Sequence, residues 1–192
     1  MISLIICQLI LCYIVADFIT GVVHHFEDTW GLPSWPLIGR TVIVDNINHH
    51  KMPLQIGDGS TFWGRTGYSF MLAGVVFLIM WPLGLLYWQV IVTGIIACFG
   101  NEVHCYAHRK ASDVTDSKII QFTVKLLHEM AIIQLPQHHA KHHRGAHDTC
   151  FCTISNLVNP VLERIRFWKS LEWVVSKLGI SVKRGDESRD GF

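Results

Sequence analysis

Residues 68–100 read YSFMLAGVVFLIMWPLGLLYWQVIVTGIIACFG, thirty-three positions without one Asp, Glu, Lys or Arg. A helix rises about 1.5 Å per residue and a hydrocarbon core is about 30 Å thick, so roughly twenty apolar residues cross a bilayer. This run is too long for one comfortable span and suits two short ones. At its middle, Trp81-Pro82-Leu83-Gly84 supplies the breakers of a tight hairpin. The expectation is a helix over 67–82 and another over 84–102; the alternative is one tilted span with an interfacial piece. Upstream, Ile2 to Val23 is apolar apart from Gln8, Asp17 and Thr20. It lacks the positively charged start of a signal peptide, so it reads as a transmembrane anchor and brings the spans to three.

The charges give an independent check on that count. All sixteen Lys and Arg fall at Arg40, Lys51, Arg65 or from Arg109 onward. With three spans, both cation-bearing segments land on one side, which the positive-inside rule makes cytoplasmic. All twelve histidines land there too. Formal net charge is only +1, and no basic stripe suggests nucleic acid as a partner. Half the 192 residues are hydrophobic and mean hydropathy is +0.32. The expected fold class is all-α: an integral membrane helical protein of about three transmembrane helices, with a histidine-rich di-metal site on the cytoplasmic face and interfacial helices. One domain covers 1–182, and 183–192 reads as a polar, disordered tail. The six cysteines form no disulfide framework; Cys150-x-Cys152 lacks zinc-ligand spacing, and all read as ordinary buried thiols.

Five histidines crowd into His138 to His147. Were this stretch helical, His139, His143 and His147 would share a face and His138 would sit above His142. Protonated imidazoles so close would repel, and a metal ion removes the conflict. The bland reading is a solvated basic tract. Asn101, His104 and His108 also share a helical face. His49 and His50 are adjacent, about 100° apart on a helix, so both bind metal only around a bimetallic centre or from irregular backbone. Asp17, Gly21, His24 and Asp28 form one stripe of the first helix continued. Asp17 is costly inside a bilayer and is a functional candidate for that reason, unless a backbone or hydroxyl group satisfies it near an interface. Ser117 to Leu135 has the spacing of a half-buried helix leading to the histidines, and Pro160 to Leu178 is amphipathic, suited to a membrane interface or to the protein's own core. The candidate ligands are too many for one metal and enough for two. So nitrogen-rich a set suits iron, zinc, copper or nickel; structural zinc favours small, closed, cysteine-rich sites. Histidine-rich di-iron at a bilayer surface points to oxygen activation against a lipid chain.

The pattern His104-x3-His108 followed by His139-x2-His142-His143 is similar to the histidine boxes of membrane fatty-acid desaturases and hydroxylases. More closely, the chain resembles the plasmanylethanolamine desaturase family, the Kua-type lipid desaturases, which include a plastid phosphatidylglycerol desaturase. The resemblance rests on Ala16-Asp17, Gly21, His24, Asp28, Trp30 and Gly31, on Pro36, Ile38 and Gly39 before His49-His50, on Asn101 with the two boxes, on Phe151-Cys152, and on Leu162-Glu163 to Phe167-Trp168. It implies His24, His49, His50, His104, His108, His139, His142 and His143 as ligands. His147 matches the animal-type members alone, whereas His49-His50-Lys51-x-Pro53 is closer to the plastid type. His25 and His128 stand where the family carries tryptophan and glutamine, and are expected to be bland. Asp17, Asp28 and Asn101 are the candidate catalytic residues, the two aspartates as groups orienting ring N–H donors. Also implied are two iron ions, O2 as co-substrate, an external electron-transfer protein of the cytochrome b5 or ferredoxin type, and a membrane phospholipid as substrate. The first expectation is vinyl-ether formation as in plasmalogen synthesis, in the endoplasmic reticulum of a eukaryote or the inner membrane of a bacterium. The alternatives are acyl desaturation of the plastid type, lipid hydroxylation and, from another class, a histidine-rich metal transporter.

Overall fold

The computed structural model describes residues 2–184. Among them there are helices and turns and no strand. Three helical stretches are long and apolar enough to cross a membrane. They are α1 (Ile2–Trp30), α3 (Phe62–Met80), and the pair α4 (Trp88–Cys98) and α5 (Gly100–His108), which together make one span. Few side chains in the apolar stretches of the first two are buried. Ile6, Ile10, Leu11, Met71, Leu78 and Ile79 are all exposed, as expected where lipid rather than protein covers a helix whose backbone bonds are satisfied internally. Cys7 is exposed on α1 as well, a correction to the expectation of six buried thiols; the other five are buried.

The hairpin forms at Trp81–Gly84, with Gly84 in the left-handed region at φ 68°. Its flanking helices differ from expectation. α3 starts five residues earlier, because the Thr61 hydroxyl accepts the Gly64 N–H at 3.2 Å and caps it. The third span runs on to His108, so the histidines of α5 sit on the span itself. Near its midpoint the span passes close to α1: a Cβ on Gly100 would lie 2.7 Å from Thr20 Cγ2.

Between Trp30 and Pro53 a π-helical turn (Gly39–Ile43) leads into α2 (Val44–Lys51). Three stretches of helical spacing are broken. The short α6 (Ala111–Val114) precedes α7 (Lys118–Glu129), which ends six residues short of Leu135 where the chain turns at Ala131, φ 52°. The histidine stretch is helical only through α8 (Pro136–His139); turns follow, with Gly145 and His147 at positive φ. The amphipathic segment is two helices, α9 (Val158–Arg164) and α10 (Phe167–Ser176), broken at left-handed Arg166. α9 and α10 clamp the loop 150–157 onto α1 through a core of Phe151, Cys152, Val158, Leu162 and Trp168. His25 belongs to that core: fully buried, stacked on Trp168 with ring centres 4.8 Å apart, and bonded through Nε2 to Glu172 at 3.0 Å. Lys183 and Arg184, the start of the expected tail, bond to the Thr29 backbone and to Glu172. Residues 185–192 lie outside the described residues.

Candidate metal centre

The loops between the spans and the ends of α1 and α5 bring nine of the twelve histidines together. The first group is built on α5, α8 and the turn after it. Four Nε2 atoms close a ring: His104 to His139 at 2.9 Å, His139 to His143 at 3.2 Å, His143 to His108 at 3.1 Å and His108 back to His104 at 3.2 Å. A neutral imidazole has one N–H, so at most two of these four contacts can be hydrogen bonds at once. The centre of such a ring lies about 2 Å from each nitrogen, the length of a metal–imidazole bond. His49, from the last turn of α2, adds a fifth nitrogen, and the five ligand atoms lie within 4.8 Å of one another.

The second group is His24, Asp28, His50 and His142. His50 Nε2 lies 3.0 Å from Asp28 Oδ1, and His142 Nε2 lies 3.3 Å from Oδ2 and 3.4 Å from His50 Nε2. His24 Nε2 is 3.5 Å from the same carboxylate. His147 joins His50 and His143 in a third, overlapping set at the less buried end. The groups touch, with the His24 and His104 rings 5.2 Å apart. His49 and His50 link them. Their rings are 4.4 Å apart and turned 71° to each other, so neighbours on one helix serve different groups.

Backbone carbonyls fix how the rings point. His24 Nδ1 contacts the Phe151 carbonyl at 3.1 Å, His49 Nδ1 that of Asn46 at 2.9 Å, and His142 Nδ1 that of Thr149 at 2.7 Å. A carbonyl only accepts, so each Nδ1 carries the proton and each Nε2 presents a lone pair to the cluster. Burial, reinforced by neighbouring imidazoles, holds His49 and His139 well below the usual histidine range and brings His143 down to about 2. Burial lowers His147 too. These rings are therefore neutral at pH 7, the form that binds metal. The convergent ring nitrogens are more than hydrogen bonds among them can satisfy, and His24 Nε2 and His49 Nε2 are buried without a hydrogen-bond partner. Together with one carboxylate they fit a site for transition-metal ions.

The three candidate catalytic residues go to three places. Asp28 lies within the second group, held also by the Asn46 amide at 2.5 Å. Asp17 is fully buried away from the histidines; its oxygens accept the Ile154 N–H at 2.8 Å and the Ser155 hydroxyl at 2.5 Å. Asn101 is exposed and donates to the Arg65 carbonyl at 3.1 Å. His138 sits beside Asn159, and His128 lines a cavity behind α7. Sequence reasoning missed Asn46, whose signal is a polar side chain one turn before His49 and His50. It also missed the pair Arg65–Glu102, at 2.7 and 2.9 Å, with the Tyr106 hydroxyl donating to Glu102 at 2.7 Å. Glu102 is an acid inside a span and Arg65 stands at the start of another, which is the signal.

A helical chain with three helices able to cross a membrane and two contiguous, imidazole-lined groups able to hold metal has the build of a membrane metalloprotein. The chain belongs to the lipid desaturase domain family, which matches residues 13–185. It is 29% identical over 188 residues to plasmanylethanolamine desaturase 1 of Mus musculus, covering 92% of this chain and 66% of that one. It is 30% identical over 182 residues to the chloroplastic fatty acid desaturase 4-like 2 of Arabidopsis thaliana, covering 91% and 61%. To plasmanylethanolamine desaturase of Myxococcus xanthus it is 22% identical over 182 residues, covering 90% and 61%. The chain thus spans about two thirds of the length of these relatives. No solved structure matches it.

Proposed function

We propose that this protein is a di-iron, O2-dependent desaturase that places a double bond in an alkyl or acyl chain of a membrane phospholipid, with vinyl-ether formation as the first reading. The observation that carries it is the pair of contiguous groups, His49/His104/His108/His139/His143 and His24/Asp28/His50/His142, with His147 beside both. Two irons held there would supply the oxidising power to remove hydrogen from unactivated methylenes. In the balanced reaction two hydrogens leave adjacent carbons, O2 becomes two waters, and an external carrier of the cytochrome b5 or ferredoxin type provides the other two electrons, with two protons. The chain's own part is positioning. The carbonyls of Asn46, Thr149 and Phe151 keep three rings in the ligand tautomer, Asp28 balances charge on the second group, and Phe151, packed on His24 and His142, excludes water. Under the positive-inside rule this face is cytoplasmic. Acyl desaturation of the plastid type is the nearest alternative. Hydroxylation differs in product mass, a gain of one oxygen in place of a loss of two hydrogens.

The test is elemental analysis of protein purified with iron available, together with two alanine variants. About two irons per chain are expected. His143→Ala should lose iron and abolish desaturation, whereas His128→Ala should keep its iron. A single tightly held zinc, or a His143→Ala chain that keeps both irons beside a His128→Ala chain that loses them at matched abundance, overturns the assignment.

A further inference from the structure

Between α5 and α7 lies a cavity of about 620 Å³, within the ~300–1,000 Å³ usual for small-molecule sites. It has three features that belong together. His108, a member of the five-histidine group, forms part of its wall, with Tyr106 and Val124. Lys110 and Lys125 also line it, both exposed. Lys110 makes no ion pair among the described residues, and Lys125 meets Glu129 at 3.7 Å in a solvent-exposed contact of little worth. The third feature is the helix that walls it. α7 turns Gln121, Val124, Lys125 and His128 to the cavity and presents Ile119, Phe122, Leu126 and Met130 on its far side. Those four are 79%, 67%, 42% and 60% exposed. An apolar stripe on an amphipathic helix sinks to the boundary of headgroups and acyl chains, which sets the cavity at the level of lipid phosphates.

We propose that this cavity receives the glycerophosphate end of the substrate phospholipid, with Lys110 and Lys125 on the phosphate and the start of one chain passing His108. The inference rests on the phospholipid-desaturase reading and adds the subsite that reading lacks. The cavity is too small for a whole two-chain lipid, so only the polar end and the first carbons enter while the tails stay in the bilayer. Lysine is a point-charge phosphate binder, and exposed lysines near a membrane surface attract anionic groups without a preformed arginine fork.

The test measures binding rather than turnover, on the full, iron-loaded chain in detergent. The probe is dihexanoylphosphatidic acid, compared with dihexanoylglycerol, which lacks the phosphate, and with inorganic phosphate, which lacks the lipid. The Lys110→Gln/Lys125→Gln variant should bind phosphatidic acid about tenfold more weakly, with iron content unchanged, and dihexanoylglycerol no differently from the unaltered chain. Ser112→Trp, in the cavity wall, should weaken binding, and Ile119→Trp, on the far side of α7, should not. Equal affinity with and without the lysines overturns the proposal. So does inorganic phosphate binding as tightly as phosphatidic acid, or equal effects of the two tryptophans. Lysine-dependent binding without desaturation would keep this subsite and remove the desaturase reading, so the two fail separately.

Discussion

Asp17 tests whether a buried acid in the first span serves the metals or the fold. The structure gives it two partners, the Ile154 N–H at 2.8 Å and the Ser155 hydroxyl at 2.5 Å, both on the loop whose Phe151 carbonyl orients His24. Asp17→Ala loses both bonds and leaves the Ile154 N–H buried without an acceptor. At about 1 kcal/mol for the Ser155 bond and about 1–3 kcal/mol for the orphaned Ile154 donor, the loss is about 2–4 kcal/mol. Asp17→Asn keeps one acceptor oxygen, and the Ser155 hydroxyl can rotate to accept from the new amide, so about 1–2 kcal/mol is expected. For a chain of this length those losses lower Tm by about 2–4 °C per kcal/mol. Thermal unfolding followed by tryptophan fluorescence, with iron measured on the same samples, reads the result. Asn should retain iron in proportion to folded protein, with Ala far less stable. An Asp17→Asn chain that loses iron at an unchanged Tm would refute this and place Asp17 with the metals instead.

Other consequences can be measured as directly. Gly21→Ala brings a Cβ to 2.5 Å from Cys152 Sγ and 3.1 Å from its backbone N. Overpacking of about 1–3 kcal/mol then outweighs the roughly 1 kcal/mol gained in helix propensity. Cys152→Ala should cost less stability in that background than in the unaltered chain, and simple additivity would remove the explanation. His49, His139 and His143 have folded-state pKa values below the unfolded value near 6.5, so the unfolded chain binds more protons and stability falls as pH drops below about 6.5. For His143 that loss continues towards about 2. Acidifying metal-stripped protein from pH 7.5 to 5 should lower Tm, and a flat or rising profile contradicts the neutral-imidazole cluster. Labels near Gly59 and at the C-terminus should report one compartment, with a label in Trp81–Gly84 reporting the other; any other pattern ends the three-span arrangement.

The spans were legible because a bilayer enforces simple rules: about twenty apolar residues, few charges, and cations gathered on one side. Tyr68 to Gly100 obeys them so plainly that its hairpin could be placed at Trp81–Gly84. What the residues could not tell locally was where periodicity gives way to distant bonds. The chain after Glu129 keeps helical spacing, yet Gln134 donates from Nε2 to the Cys152 carbonyl at 2.6 Å and from its backbone to the Ile154 carbonyl at 2.7 Å. Asn159 bonds the Cys152 N–H and carbonyl at 2.9 and 2.8 Å. These side-chain-to-backbone bonds hold an irregular crossing loop and override the helix that apolar spacing alone predicts.

The ligand set was more legible than its division. His104 and His108 meet because they are one turn apart on a real helix. His139 and His143 also meet, 3.2 Å apart, though only the first is helical, since a tight turn and a helical turn both return the chain to itself after four residues. Allocation between the groups depends instead on where α2 lands beside α1, which no local spacing encodes. The stripe Asp17–Gly21–His24–Asp28 shows the limit best. It is one helical face, but eleven residues of helix cover about 16 Å, enough to pass from one environment to another. At its start Asp17 meets backbone N–H and hydroxyl donors and ties down a loop. At its midpoint Gly21 has no Cβ, and that absence lets Cys152 approach. At its end Asp28 meets three imidazoles and becomes part of the metal group. Two identical side chains on one face thus take different work from their neighbours, and it is the loop fixed by the first that supplies the carbonyl orienting His24 beside the second.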